Sequence, residues 1–369
     1  MNDFFIKVKQ QESQSLPFVL YKKPGDVKVV GYFQKNDHLY FAESFEEAGF
    51  IFAPFEGSQK ILIPYEQSVK WSTLVASGEE TRDSDFAQTE NNENQEHFES
   101  LVQKGIDAIG ADVFKKVVVS RKEIIDLTNF DLVSVFERLI RSYPNAFCYC
   151  WFHPKIGLWM GATPERLLKS DNKKFSTMAL AGTQKNQYSA EVTWEKKEME
   201  EQQLVTDFIL NNLEDLTSEV SISSPYALKA GALLHIKTDI EGILNDNSNL
   251  KQVISVLHPT PAVCGLPKQE AKSFIFENEG YDREYYTGFL GELNKEGFNK
   301  NSLKSDLYVN LRCMKIMDNQ AHLFMGCGIT KDSNPRLEWE ESVNKSMTMK
   351  RVLQEEDRKG KTKEVREQR

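Results

Sequence analysis

The run Gly326-Cys327-Gly328-Ile329, followed shortly by Glu338-Trp339-Glu340-Glu341-Ser342-Val343-Asn344-Lys345, sets a glycine-bracketed backbone turn just ahead of a carboxylate-bearing helix. Glu338 and Glu341 are three apart and share a helical face, and Lys345, four past Glu341, reaches the same region. Two carboxylates that close repel each other unless a cation joins them. Mg²⁺ suits such a pair, because it takes oxygen ligands, keeps several waters and is held by one or two carboxylates plus oxygens of a substrate. The glycines let the backbone approach a ligand and point N–H groups at an anion, although glycines in strands also mark bulges. Glu198 and Glu201 repeat the acidic spacing on a second predicted helix. A fold that carries both helices to one cleft would complete a metal site; otherwise the pairs are ordinary solvated surface.

At 369 residues the chain is long enough for one large domain or two, and its 40% hydrophobic and 27% charged residues are those of a globular protein. A formal net charge of −9 argues against a nucleic-acid partner and gives no affinity for anionic membrane surfaces. Five scattered cysteines, Cys148, Cys150, Cys264, Cys313 and Cys327, lack the CxxC spacing of zinc ribbons or redox motifs, which fits reduced thiols without chemistry. Met1-Asn2-Asp3-Phe4-Phe5 lacks a basic region followed by an apolar core, and no apolar run approaches the ~20 residues of a membrane span. The expected location is the cytoplasm, with no membrane partner.

Short strands open the chain, including Phe18-Val19-Leu20-Tyr21 and Val29-Val30-Gly31-Tyr32-Phe33, broken by Pro24-Gly25-Asp26 and Asn36-Asp37 turns. Residues 77–96 turn polar and acidic and read as a flexible connector. Phe98, Val102, Ile106 and Ile109 then recur at helical spacing, and Lys116-Val117-Val118-Val119-Ser120-Arg121 is a strand with Lys116, Val118 and Ser120 on one face. A hairpin is expected around His153-Pro154-Lys155-Ile156-Gly157 and a second turn at Ser170-Asp171-Asn172-Lys173, with Glu165 where two strands meet. From Glu191 to Leu213 the chain favours a helix, with Met199, Leu204, Phe208 and Leu213 as its buried stripe. Strands and turns return after it, and a charged tail, 355–369, frays as a helix end.

Several residues are ambiguous by themselves. Lys116 beside a buried valine run must either reach solvent or give up its proton, and in the second case it is a candidate general base. Glu165 is a surface carboxylate or a catalytic acid. Arg312 in an apolar run calls for a carboxylate partner, from the protein or from a ligand. His258, between Leu257 and Pro259, is more often structural than catalytic.

In order along the chain, the Lys116–Arg121 run, Gly161-Ala162-Thr163-Pro164-Glu165-Arg166-Leu167, Ala179-Leu180-Ala181-Gly182-Thr183, the glutamate-rich helix, Leu257-His258-Pro259-Thr260-Pro261-Ala262, Gly326-Cys327-Gly328-Ile329 and Glu338-Trp339-Glu340-Glu341-Ser342-x-x-Lys345 resemble the chorismate-utilising enzymes, and most of all the isochorismate synthases. The match covers about residues 98–352, and its specificity lies in seven motifs in the family's order. Anthranilate synthases carry glutamine where this chain has Lys116, and aminodeoxychorismate synthases carry lysine where it has Ala181; both differences point to water, not ammonia, as the nucleophile.

The resemblance implies an α+β fold, two antiparallel sheets stacked as a sandwich with surrounding helices and the site between them. It implies one catalytic domain over 1–354, with a more variable N-terminal part over 1–97. It further implies that Lys116, as a neutral amine, deprotonates a water attacking carbon 2 of chorismate while protonated Glu165 donates to the hydroxyl leaving carbon 4. Mg²⁺ would be bound through Glu201 and Glu341, with Glu198 and Glu338 close by through water, and would hold the ring carboxylate. The enolpyruvyl carboxylate would lie against Arg312 and the backbone of Gly326 and Gly328, with Tyr286 and Lys345 nearby, while Gly182 and Thr183 border the ring and His258 and Ala262 complete the substrate contacts. Gln202, where many relatives have histidine, and Cys327, in place of a common alanine, remove no required group. The alternatives are salicylate synthase, whose members tend to carry threonine at the Ala262 position, and a non-catalytic chorismate-binding scaffold. The expected product is isochorismate, an intermediate for menaquinone or siderophore synthesis. The expected protein is a monomer that needs no amidotransferase subunit.

Overall fold

The strand Phe147–His153 is buried along almost its whole length, so both of its faces are covered. Cys148 and Cys150 point one way, into a core shared with helices Asp3–Ser13, Leu132–Ser142 and Pro335–Leu353. Phe147, Tyr149 and Trp151 point the other way, against Phe50, Phe52 and Tyr308 of a second sheet. The period-two alternation of a strand sorts small thiols toward the helices and aromatic rings toward the inter-sheet seam. These relations come from a computed structural model, which describes residues 3–75, 92–185, 193–230, 233–297 and 302–354.

Both sheets are antiparallel. The first has nine strands, in the order Gly265–Leu266, Lys116–Asp126, Gln320–Ile329, Cys313–Met317, Gly157–Thr163, Phe147–His153, Phe18–Lys22, Lys28–Gln34, Ser68–Leu74. The second has ten, led by Thr217–Ile222, Leu233–Leu244, Lys174–Lys185, Arg166–Asp171, Leu303–Val309 and Phe289–Glu296, then Gly49–Ala53, Ile61–Pro64 and Tyr40–Phe41, with Tyr226–Ala230 pairing Leu233–Leu244 off this path. The outer face of the second sheet is covered by helices Lys196–Leu213 and Leu250–Leu257. The expected sandwich with outer helices is therefore the observed fold, and the hairpin at residues 154–156 and the turn at Asn172-Lys173 fall where the sequence places them. All five cysteines are buried, and none forms a disulfide. Among the described residues no helix is long and apolar enough to cross a membrane.

Four local expectations need correction. Gly326-Cys327-Gly328 is no turn: it lies inside the Gln320–Ile329 strand, in unbroken register with Lys116–Asp126. The connector expected over 77–96 ends early, because a helix runs Asn92–Gly110; residues 76–91 lie outside the described residues, as does the 355–369 tail. Met199 is half exposed, and the buried stripe of its helix is Val205, Phe208, Ile209 and Leu213, preceded by buried Gln202. The polar face of the first turn is turned inward, toward the site, which forces Met199 out. Arg312 sits in no strand: the chain breaks between Leu303–Val309 and Cys313–Met317, where it crosses from one sheet to the other, and Arg312 takes the left-handed conformation there, φ 47°.

Candidate active site

A cavity opens where the two sheets and the two acidic helices meet. Its walls include Val118, Gly326 and Gly328 from the first sheet, Glu165, Leu180 and Gly182 from the second, Glu201 and Glu341 from the helices, and Ala262, Tyr286, Arg312 and Lys345. Residues scattered over 228 positions of sequence, from Val118 to Lys345, are collected here by the topology.

Glu165 is held by its backbone. Its carbonyl accepts from Val309 N–H at 3.0 Å, its own N–H donates to Thr163 Oγ1 at 3.3 Å, and a register slip between Arg166 and Leu168 turns the chain just beside it. The side chain is buried, and burial pushes its pKa from 4.5 to about 8 against the opposing pull of Lys116, Arg312 and Lys345. A carboxyl that stays protonated near neutral pH is what an acid catalyst requires.

Lys116 begins the Lys116–Asp126 strand of the first sheet and is fully buried, with Nζ 2.8 Å from Glu201 Oε1. It stands behind Glu201 in the cavity wall. Gly328 makes this pairing possible: a Cβ there would overlap the Glu201 carboxylate and come within 3.1 Å of Lys116 Cε. Gly182, at φ +72°, does the same for the acidic helix, since a Cβ would lie 2.9 Å from that of Glu198. The two glycines thus admit a helix to the sheet surface.

The strand register also explains how Gly326 and Gly328 can meet an anion. Val118 N–H bonds to Cys264 and Ser120 N–H to Glu279, both on the side away from the glycine strand. Val118 and Ser120 are opposite Gly328 and Gly326. In an antiparallel ladder these are therefore the non-hydrogen-bonded pairs, and the N–H groups of both glycines face the other way, where the neighbouring strand has already ended at Cys313. Lys345 occupies that side, donating to Gly326 O at 2.8 Å and pairing with Glu341 Oε1 at 2.6 Å. Burial works against the charge of Lys345, but Glu341 more than offsets it and holds the pKa above its ordinary value.

Arg312 enters the cavity with no ion pair among the described residues, so a ligand carboxylate is the acceptor its position suits. Its Nη2 lies 3.4 Å from His235 Nε2, and His235 Nδ1 lies 3.2 Å from Gly182 O. Burial, then Arg312, push His235 down to about 3, so the ring is neutral, donating to Gly182 and accepting from Arg312. His235 is the cavity residue that sequence reading missed: a lone histidine in the apolar run Leu233-Leu234-His235-Ile236 has no spacing signal. His258 is the opposite case. It faces a different cleft, with Nε2 3.3 Å from Pro54 O and its ring edge-on to Phe289, so the structure does not bring it to the site. Thr183 is placed by its backbone, opposite His235 and next to Gly182.

Glu201 and Glu341 line this cavity, while Glu198, Glu338 and Glu341 line a neighbouring one, so Glu341 is common to both. Glu338 is buried, an oxygen of Glu198 and one of Glu338 are shielded from solvent, and Glu338, Glu341 and Cys327 each place a possible ligand atom within 4.8 Å of one another. Cys327 donates to the Glu338 carbonyl at 3.3 Å, leaving carboxylate oxygens as the available donor set. Hard oxygen donors of this kind fit a divalent cation.

A protein-family model described as chorismate binding enzyme matches residues 56–354. The chain belongs to that family. Among the members similar to it, isochorismate synthase EntC of Escherichia coli (strain K12) is 34% identical over 274 residues, covering 70% of this chain and 67% of EntC. A salicylate biosynthesis isochorismate synthase of Pseudomonas aeruginosa is 30% identical over 270 residues, covering 71% of this chain and 55% of the relative. The solved structure of MenF, the menaquinone-specific isochorismate synthase of Escherichia coli, superposes with a TM-score of 0.72 at 22% identity, over 92% of this chain and 89% of MenF, and so shares the fold. Membership in the chorismate binding enzymes makes this chain an enzyme that acts on chorismate.

Proposed function

We propose that this chorismate binding enzyme is an isomerase, an isochorismate synthase that adds water at carbon 2 of chorismate and expels the carbon 4 hydroxyl. The observation that carries the reading is Glu165: a buried carboxyl with its pKa at about 8, lining the same cavity that Arg312 enters as a cation and that the Lys116–Glu201 pair closes. Water is a poor nucleophile and hydroxide a poor leaving group, so the reaction needs a base and an acid, each typically contributing ~10²–10⁴-fold. Lys116, acting as a neutral amine, takes a proton from the attacking water; Glu165 gives one to the departing hydroxyl, which leaves as water. The ring double bonds shift as one C–O bond forms and the other breaks.

Arg312, the free N–H groups of Gly326 and Gly328, and Tyr286 suit the enolpyruvyl carboxylate, with Lys345 neutralising the same end through Glu341. Glu201 and Glu341 would hold Mg²⁺, with Glu198 and Glu338 supporting it, and the ion would supply charge neutralisation and a fixed position for the ring carboxylate. Gly182, Thr183 and Ala262 border the ring. A single domain over 1–354, a monomeric state and a cytoplasmic location accompany this reading, and no amidotransferase is required when water is the nucleophile.

The test is to incubate the purified protein with chorismate, with Mg²⁺ or with a chelator, and to separate isochorismate, salicylate and aminated products by chromatography. Isochorismate formed only with the metal is the expected result. Salicylate formed without an added lyase would move the assignment to salicylate synthase, and unchanged chorismate would remove the catalytic reading.

A further inference from the structure

The strand that carries Lys116 has a short neighbour on its outer edge. Gly265 and Leu266 pair with Val117 and Lys116, Cys264 O accepts from Val118 N–H at 2.7 Å, and there the backbone partner ends. The edge nevertheless continues, in side chains. Val118 O accepts from Arg283 Nη2 at 2.6 Å, and Ser120 N–H donates to Glu279 Oε1 at 2.7 Å. Arg283 and Glu279 are themselves joined through Nε–Oε2 at 2.8 Å and Nη2–Oε1 at 2.5 Å. The fork geometry of guanidinium and carboxylate reproduces a donor and an acceptor at strand spacing, as one more strand would.

The same pair reaches two other walls of the cavity. Arg283 Nη1 donates to Val263 O at 2.9 Å, next to Ala262, and to Thr287 Oγ1 at 3.2 Å, next to Tyr286. Ser120 Oγ donates to Glu279 Oε1 at 2.8 Å and lies 2.6 Å from Tyr281 Oη. Arg283 and Glu279 are 2% and 5% exposed, so neither is a surface ion pair. Replacing a buried pair with apolar side chains of similar size is often neutral or stabilising, so stability alone is a weak reason to keep one.

We infer that Glu279 and Arg283 are positioning residues for the reaction: a side-chain substitute for an edge strand that fixes the Lys116 strand relative to the Ala262–Val263 and Tyr286–Thr287 walls. The inference rests on the proposed chorismate reaction. Arg283 touches neither ligand nor metal site; it acts through Val118, two residues from the base, and through carbonyl and hydroxyl groups beside the ring-facing residues. A misplacement of about 1 Å at a reacting group costs ~10²-fold in rate.

Three variants separate positioning from mere stability. Arg283→Lys keeps the charge but not the fork, Glu279→Gln keeps the acceptor for Ser120 but not the charge, and Glu279→Gln/Arg283→Met removes both charges so that no lone ion stays buried. Wild-type isochorismate formation is measured alongside. Its absence would defeat the reaction assignment, whereas the variants bear on the brace only when the wild type turns over. The expected outcome is that the double variant melts close to wild type, yet kcat falls by ~10²-fold or more with a smaller change in KM, and the Val118 and Ser120 amides exchange with deuterium faster. Arg283→Lys should recover only part of kcat. A folded double variant with kcat within about threefold of wild type would overturn the inference, as would full rescue by Arg283→Lys or a variant whose activity loss tracks only its unfolded fraction.

Discussion

Replacing Glu165 with glutamine tests the acid assignment through stability as well as rate. The carboxyl is raised from 4.5 to about 8 in the folded protein, chiefly by burial. Between those values the folded chain keeps a proton that the unfolded chain has released, so the native state binds more protons and stability falls as pH rises. The contribution is complete below about pH 4.5 and lost above about pH 8. Each pH unit inside that window is worth ~1.4 kcal/mol, so Glu165 alone should cost the wild type ~2 kcal/mol between about pH 6 and about pH 8. Glu165→Gln keeps the shape and cannot ionise. Urea unfolding of both proteins in chelator, at several pH values, should show the variant gaining on the wild type by that amount across the window, while its turnover falls ~10²–10⁴-fold. Wild-type kcat/KM should itself decline above about pH 8, as the acid loses its proton. Stability curves that run parallel for the two proteins from about pH 6 to about pH 8 would refute the buried-acid argument.

Lys116→Ala should reduce chorismate turnover ~10²–10⁴-fold, measured by product chromatography, because it removes the proposed base; turnover at the wild-type level would remove that assignment. Gly328→Ala should lower the melting temperature, because the added methyl would overlap the Glu201 carboxylate and break its pair with the buried Lys116, and it should weaken binding of Mg²⁺ by about tenfold or more in titration calorimetry. Arg312→Lys keeps the charge and loses the planar fork, so KM for chorismate should rise about tenfold or more in steady-state kinetics, with the fold intact by circular dichroism.

Residue type and local spacing carried much of this protein into view. The alternation of Lys116–Arg121, the hairpin around His153–Gly157 and the paired glutamates of both helices depend on contacts within a few residues, and strand and helix periods print such contacts directly on the chain. The spacing of Glu338, Glu341 and Lys345 required them to share a helix face, and they do. Glycine at 326 and 328 announced close approach, but not that the approaching groups are the Tyr286 hydroxyl at Gly326 and the Glu201 side chain at Gly328 rather than a loop closing on itself.

What only the tertiary structure decided is which distant segments meet. Nothing near Lys116 in sequence says that Glu201 will lie 2.8 Å from it, or that Arg312 stands at a crossing between sheets beside His235. Nor does His258, in a matching motif, reveal that its ring turns to Pro54 and away from the cavity. Identity and order along a chain set each residue's local geometry; burial, charge pairing and the pKa of Glu165 arise from neighbours contributed by other strands, and those exist only once the two sheets have packed.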